Sequence, residues 1–219
     1  VFFYSALASH LARILKIAEP RPSGFLIVGA HLLARKIGIS LHDAGCRILL
    51  VDNHQANIKA ARMAGLPCRL TNVFTDNIRL CGIGRLLALS PNDELNALAV
   101  LHYRKIFDHM EVFQLPPDVE QVHAEEVLPG HLRGRYLYDK RASFSYLYGR
   151  MLGNGIVKTV KLTENFKYED FSKYYDNTDI PLFVIDSNGL VTPVTLDASV
   201  SLSPGHTLIA LVAAKDNEQ

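Results

Sequence analysis

Gly29, His31 and Asp52 are the residues of this chain whose types and spacing most directly suggest chemistry. Gly29 ends an unbroken apolar segment, Gly24-Phe-Leu-Ile-Val-Gly29, and a helical pattern beginning Ala30-His31-Leu-Leu-Ala34 follows at once. A second apolar run, Arg47-Ile-Leu-Leu-Val-Asp52, ends in a carboxylate. This is the outline of a strand-helix-strand unit that holds a nucleotide. Gly29 lets the chain turn tightly from strand into helix. The free N–H groups at the helix start, aided by the helix dipole, face a phosphate. Asp52 stands at the right distance downstream to accept hydrogen bonds from ribose hydroxyls. Ala34 occupies the third glycine position, where close helix–strand packing tolerates it. His31 occupies the middle one, where glycine normally lets a pyrophosphate approach the backbone. An imidazole there either crowds the phosphate or bonds it. The same residues also fit an ordinary parallel α/β unit with no ligand.

The flanking pattern supplies the elements that position these residues. Pro20-Arg-Pro22-Ser-Gly24 is a break before the first strand. A helix is expected from Ala30 to Ala44, closed by Gly45, and a second strand from Cys46 to Asp52. Asn53 is the expected cap of the next helix, which Gly65 ends, and Pro67–Leu70 reads as a third strand. Ile83–Leu89 is a fourth strand. Ser90-Pro91-Asn92-Asp93 opens a helix as a capping-box variant, a local role that accounts for Ser90 and Asp93 without a ligand. That helix carries Leu95, Leu98, Ala99, His102 and Ile106 at helical spacing, and Glu111–Leu115 is a fifth strand. Such regular alternation implies an α/β fold, a Rossmann-like doubly wound parallel sheet with right-handed crossovers. Ligands on such sheets bind beyond the carboxyl ends of the strands, the edge that Gly29, Ala30, His31, Asp52, Asn53, Asn72, Ser90 and Asp93 share.

Beyond Gly130 the character changes. Arg133, Arg135, Lys140 and Arg141 interleave with Tyr136, Tyr138, Phe144, Tyr146 and Tyr148. A net charge of +1 argues against a nucleic-acid surface. The stretch reads as a connecting helix over 131–153, aromatic on its packed side. Ile156–Lys161, a Leu182–Ile185 strand turning through Asn188-Gly189, and Thr207–Val212 then make a small β-rich module over 154–219. With 219 residues the chain holds one large domain or two small ones. Cys46, Cys68 and Cys81 are odd in number and widely spaced, which reads as reduced thiols and fits the cytosol. No metal-ligating or catalytic set stands out.

Residue 1 is Val, not Met, so the chain reads as a piece of a longer one. Residues 1–23 open apolar and turn amphipathic, with His10, Arg13 and Lys16 on one face. The apolar part is shorter than the ~20 residues that span a bilayer. It reads as a surface or docking helix, or as the exit of a transmembrane helix whose basic flank is cytoplasmic.

Four segments together resemble a known family. They are Leu26-Ile-Val-Gly-Ala-His31, Leu49-Leu-Val-Asp52, Ala60-Ala-Arg-Met-Ala-Gly-Leu-Pro67, and Gly82-Ile-Gly-Arg-Leu-Leu-Ala-Leu-Ser-Pro-Asn-Asp93 with Asn96. Over residues 20–116 the chain is similar to the RCK (Trk-type, NAD-binding, TrkA-N-like) domains, most of all to the version fused after the membrane part of bacterial sodium/proton antiporters. The first residues are similar to the end of the last transmembrane helix and its linker in those proteins. The Leu202–Leu211 segment weakly resembles the last strand of the family's C-terminal ligand module. The resemblance implies a sensor, not an enzyme: a cytoplasmic domain of an inner-membrane protein, over residues 24–130, that binds NAD, NADH or AMP. Such domains pair into homodimers and bias the transport domain of the same chain. It places Gly29 and Ala30 against phosphate, Asp52 on ribose, and Asn53 and Asn72 near the adenine, with His31 and Ser90 completing the binding set. His31 replaces the middle glycine, and Thr71-Asn72 stands where many relatives have Gly-Asp. An AMP-sized ligand or an empty site is therefore implied beside a dinucleotide. The alternatives are a nicotinamide-dependent oxidoreductase and a degenerate domain kept for dimerisation.

Overall fold

The computed structural model describes residues 22–75, 78–118, 133–198 and 201–215. Its first layer is a parallel sheet built from β1 (Gly24–Val28), β2 (Ile48–Asp52), β3 (Cys68–Leu70), β4 (Ile83–Ala88), β5 (Val112–Gln114) and β6 (Arg135–Tyr136). Every residue of β1 is buried, as expected of a strand covered on both faces. Phe25 and Ile27 point to one face and Leu26 and Val28 to the other. Helices α1 (Leu32–Asp43) and α2 (Gln55–Met63) cover the first face through Leu33, Ile37, Leu41, Ile58 and Ala61. Helix α3 (Asp93–Tyr103) covers the second through Ala99, Val100 and Tyr103. Burying each large apolar side chain contributes roughly 1.5–3 kcal/mol relative to exposure.

The strand order is β3-β2-β1-β4-β5-β6. The chain winds outward from β1 through α1 and α2, then returns to β4 and winds the other way through α3. The reversal lies between β1 and β4, and in doubly wound sheets that crevice is where ligands bind.

A second sheet follows helix α4 (Phe144–Leu152). It is antiparallel, in the order β7-β10-β8-β9, from β7 (Gly155–Lys161), β8 (Ile180–Ile185), β9 (Val191–Pro193) and β10 (Thr207–Ala213). Helix α5 (Tyr168–Tyr174) lays Phe171 against Val184, Leu208, Ala210 and Val212 on one face. On the other, Phe183, Ile209 and Leu211 share a core with α1 and α4. Arg85 on β4 ties the sheets further. It donates to the Val191 carbonyl at 2.5 Å, pairs with Glu111 at 3.1 Å, and lies over the Phe25 ring. Arg135 on β6 grips the Asp197 carboxylate through Nε and Nη2.

The fold class read from the sequence is thus the observed one, with local corrections. Of the helix expected over 131–153, the described residues form Phe144–Leu152 alone. Arg135–Tyr136 instead adds a sixth parallel strand, held where the Gly134 N–H donates to Gln114 Oε1 at 2.9 Å. Three arginines of that stretch have partners within the chain: Arg133 over Tyr136, Arg135 on Asp197, Arg141 on Asp139. Asn53 does not cap α2; His54 does, without a side-chain bond, because Asp52 Oδ1 accepts the His54 N–H. Ser90 does not cap α3. Asn92 does, its Oδ1 accepting the Leu95 N–H at 2.6 Å, while Ser90 Oγ accepts the Asn92 N–H. Helix α5 carries no periodic signal in the sequence, since Phe171 is its sole buried residue. Residues 1–21 of the segment 1–23 in which a helix is expected lie outside the described residues. Among those, no helix is long and apolar enough to cross a membrane.

Candidate functional site

A cavity of about 420 Å³ opens at the carboxyl edge of the parallel sheet, over the crevice between β1 and β4. Six of the seven residues of the expected binding set line it, Gly29, His31, Asp52, Asn53, Asn72 and Ser90, while Asp93, read at the same edge, is not among its lining residues. The seventh, Ala30, is fully buried behind Gly29 and reaches the site through its N–H.

Gly29 follows β1 with φ +107°, a conformation open to glycine and closed to side chains. Its N–H continues the β1–β2 ladder to the Val51 carbonyl at 2.8 Å. The turn delivers Ala30 beside the end of β2, where Asp52 waits. The Asp52 carboxylate accepts three hydrogen bonds from the chain itself. Oδ2 accepts from the Ala30 N–H at 2.8 Å and from Asn57 Nδ2 at 2.9 Å, and Oδ1 accepts from the His54 N–H at 2.8 Å. The carboxylate therefore ties the glycine turn to the start of α2. Arg35 reinforces the same turn, Nη1 donating to the Ala30 carbonyl at 2.7 Å.

His31 is the N-cap of α1. Its Nδ1 accepts the Ala34 N–H at 3.3 Å, which puts the ring proton on Nε2, 2.8 Å from the Leu89 carbonyl to which it donates. The Ala34 bond requires an unprotonated Nδ1 and so the neutral ring, whereas the Leu89 bond is open to the neutral and the charged ring alike; burial holds the imidazole below the usual histidine range. The Leu89 hydrogen bond and the Asp52 charge oppose that shift; the Arg35 charge adds to it.

The β4 side of the cavity is built by Asn96, fully buried on α3. Its Oδ1 accepts the Ser90 N–H at 3.0 Å and its Nδ2 donates to the Ser90 carbonyl at 2.9 Å. On the far side Asn72 Oδ1 accepts the Phe74 N–H, fixing the loop after β3. The cavity wall also takes residues that the local pattern does not mark: His54, Asn57, Thr71, Val73, Leu95, and Phe144 and Tyr148 from α4. Phe144 and Tyr148 stack with centroids 5.3 Å apart, one turn separated, and both meet the His31 ring edge-on. Their i,i+4 spacing marks a shared helix face. What that face covers is set by the fold, not by the local sequence.

Cys46 and Cys81 line a second cavity of about 350 Å³ at the opposite edge, with His42, Arg47 and Arg79. Cys46 and Cys68 are half-buried free thiols, and Cys81 is exposed. Among the described residues no cluster of three His, Cys, Asp or Glu side chains could hold a metal ion.

The chain matches no protein-family model and no curated protein. It does match solved structures. One is the NAD(P)-binding domain of an exopolyphosphatase-related protein from Archaeoglobus fulgidus, at 17% identity and TM-score 0.40, over 48% of this chain and 79% of that one. Another is the TrkA-N domain of the inner membrane protein ybaL from Escherichia coli, at 16% identity and TM-score 0.39, over 46% and 77%. The GsuK RCK domain matches at 11% identity and TM-score 0.38, over 89% of this chain and 45% of that one.

Proposed function

We propose that this chain is a cytoplasmic regulatory domain that binds an adenine nucleotide and biases a monovalent cation/proton antiporter of which it is part. The carrying observation is the cavity at the strand-order reversal, which gathers Gly29, Asp52, Asn53 and Asn72 from three successive strand ends. In this reading ribose and base lie against Asp52, Asn53 and Asn72, and the phosphate end points toward Gly29, Ala30, His31 and Ser90. NAD, NADH and AMP are the candidate ligands.

Binding without catalysis fits the commitments of the polar groups. Asp52, His31, Asn72 and Ser90 each hold backbone N–H or C=O groups of the cavity wall. Regulation fits the position of α4. It contributes Phe144 and Tyr148 to the cavity, and it buries Leu147 and Met151 in the core that the second sheet shares. A ligand that moves α4 therefore moves that sheet. Coupling of about 1–3 kcal/mol suffices for allosteric control. The link to an antiporter rests on the sequence resemblance over residues 20–116.

Calorimetric titration of the chain with NAD, NADH, AMP and adenosine tests the binding step, with at least one expected to bind. Deleting residues 24–219 from the intact transporter tests the regulatory step. An altered ion or pH dependence is expected, and unchanged transport kinetics would refute it.

A second reading, a non-binding dimerisation domain, draws on one observation: the Ala30 and Ala34 N–H groups already have partners within the chain. It predicts a homodimer by sedimentation and no heat with any of the four ligands.

A further inference from the structure

The end of the cavity that would receive a phosphate is occupied by the protein itself. Helix geometry leaves the first N–H groups of α1 without partners inside the helix. His31 Nδ1 takes that of Ala34. The imidazole also lies directly over the glycine turn: a Cβ placed on Gly29 would come within 2.8 Å of His31 Nε2. Glycine earns its place in such turns by leaving room for a ligand to approach the backbone, and here the ring fills that room. Asp52 holds the Ala30 N–H, and Phe144 buttresses the ring from α4 with centroids 4.9 Å apart.

We propose that His31 is a gate that sets which ligands this pocket accepts. Closed, the gate admits a nucleoside, with ribose and base beside Asp52, Asn53 and Asn72 and nothing against Gly29. Open, with the imidazole turned away, it admits a phosphate onto the start of α1. This inference rests on the nucleotide-binding reading above.

Protonation is the natural opener. An imidazolium carries protons on both nitrogens, so Nδ1 could no longer accept the Ala34 N–H, and two donors would face each other. The titratable and charged groups around the ring are Asp52 at the end of β2, His54 at the start of α2, Arg35 on α1 and Tyr148 on α4. The Leu89 carbonyl and the Asp52 charge favour the charged ring in place, while burial and the Arg35 charge oppose it. Turned outward, the imidazolium leaves the dipole end of α1 to an anion.

The test is titration of the whole chain with adenosine and with NAD, whose pyrophosphate keeps its charge near neutral pH. The wild type is compared with His31→Gly and His31→Ser. The serine variant clears Gly29 yet keeps a hydroxyl to cap Ala34, so a folded chain without the imidazole is secured. At about pH 7.5 the preference for NAD over adenosine should rise about tenfold in the glycine variant. In the wild type the same preference should rise on acidification to about pH 5.5, with no such rise in either variant. A wild-type preference equal to that of both variants overturns the gate and leaves nucleotide binding standing. A wild-type preference that stays flat with pH overturns protonation as its opener. Binding of neither ligand to any of the three proteins overturns the nucleotide reading, and the gate with it.

Discussion

Replacing Asp52 by Asn should unfold this protein more readily, whatever the ligand. The carboxylate accepts three hydrogen bonds, from the Ala30 N–H, the His54 N–H and Asn57 Nδ2, all at 2.8–2.9 Å. Asparagine keeps one oxygen and turns the other into a donor. Whichever way the amide is placed, an NH₂ group then faces an N–H. If it faces the Ala30 side, a fully buried residue loses its partner. Hydrogen bonds to charged groups contribute about 1.5–3 kcal/mol each, and a buried donor left unpaired costs about 1–3 kcal/mol. The negative charge beside the start of α2 adds roughly 0.3–1 kcal/mol. These terms overlap, so the expected loss is about 2–4 kcal/mol. Asn57→Ala serves as the control. It removes one donor, leaves both backbone amides paired, and should cost no more than about 1 kcal/mol. Urea unfolding followed by circular dichroism measures both, since the chain has no tryptophan to report by fluorescence. An Asp52→Asn protein within about 0.5 kcal/mol of wild type would refute the reasoning and leave Asp52 as a ligand-facing group alone. The outcome also governs how binding data are read: loss of nucleotide binding in an Asp52 variant identifies a ribose contact only where the glycine turn has survived.

Three further outcomes follow from the same geometry. Gly29→Ala places a side chain at φ +107° and its Cβ 2.8 Å from His31 Nε2, so it should destabilise by about 1–3 kcal/mol, measured by the same unfolding. Asn96→Leu strips the buried Ser90 N–H and carbonyl of their partners and should cost about 2–4 kcal/mol, and a neutral result would mean that Ser90 finds others. His31 is held below the ordinary histidine value of 6.5 in the folded state, so the unfolded chain takes up its proton first on acidification. Stability from this residue is therefore complete above pH 6.5 and declines as pH falls from there through the folded value. His31→Asn, which retains a capping side chain, should flatten that part of the pH–stability curve.

The sheet was readable because burial on both faces leaves continuous apolar runs. Gly24–Val28 and Ile48–Asp52 could hardly be anything else, and Gly45 and Gly65 announce the helix ends with φ of +81° and +73°. The carboxyl edge was readable for the same reason, since knowing where strands end places Gly29, Asp52, Asn72 and Ser90 on one rim. The caps were not. Serine, asparagine and aspartate all suit an N-cap by type, and Ser90-Pro91-Asn92-Asp93 offers three of them in four positions. Asn96, reaching back from α3 to both backbone groups of Ser90, fixes Ser90 before the helix and leaves the cap to Asn92. Strand β6 was hidden by its length, two residues, and α5 by burying a single side chain.

His31 shows where a motif-based reading stops. The sequence places a histidine in a position made for glycine and leaves two opposite outcomes, a ring that blocks the phosphate or a ring that binds it. Neither is decided locally. The Leu89 carbonyl at the end of β4 and the Phe144 ring on α4 lie far along the chain, and they fix the imidazole over Gly29 with its proton on Nε2. Once those partners are known, blocking and binding cease to be alternatives. A neutral ring that accepts from Ala34 cannot coexist with a phosphate at that amide, whereas a charged ring keeps the Leu89 bond but loses the one to Ala34. Under the proposed gate, the departure from the glycine pattern is a choice between two states of one side chain, and the ligand preferred should shift with pH.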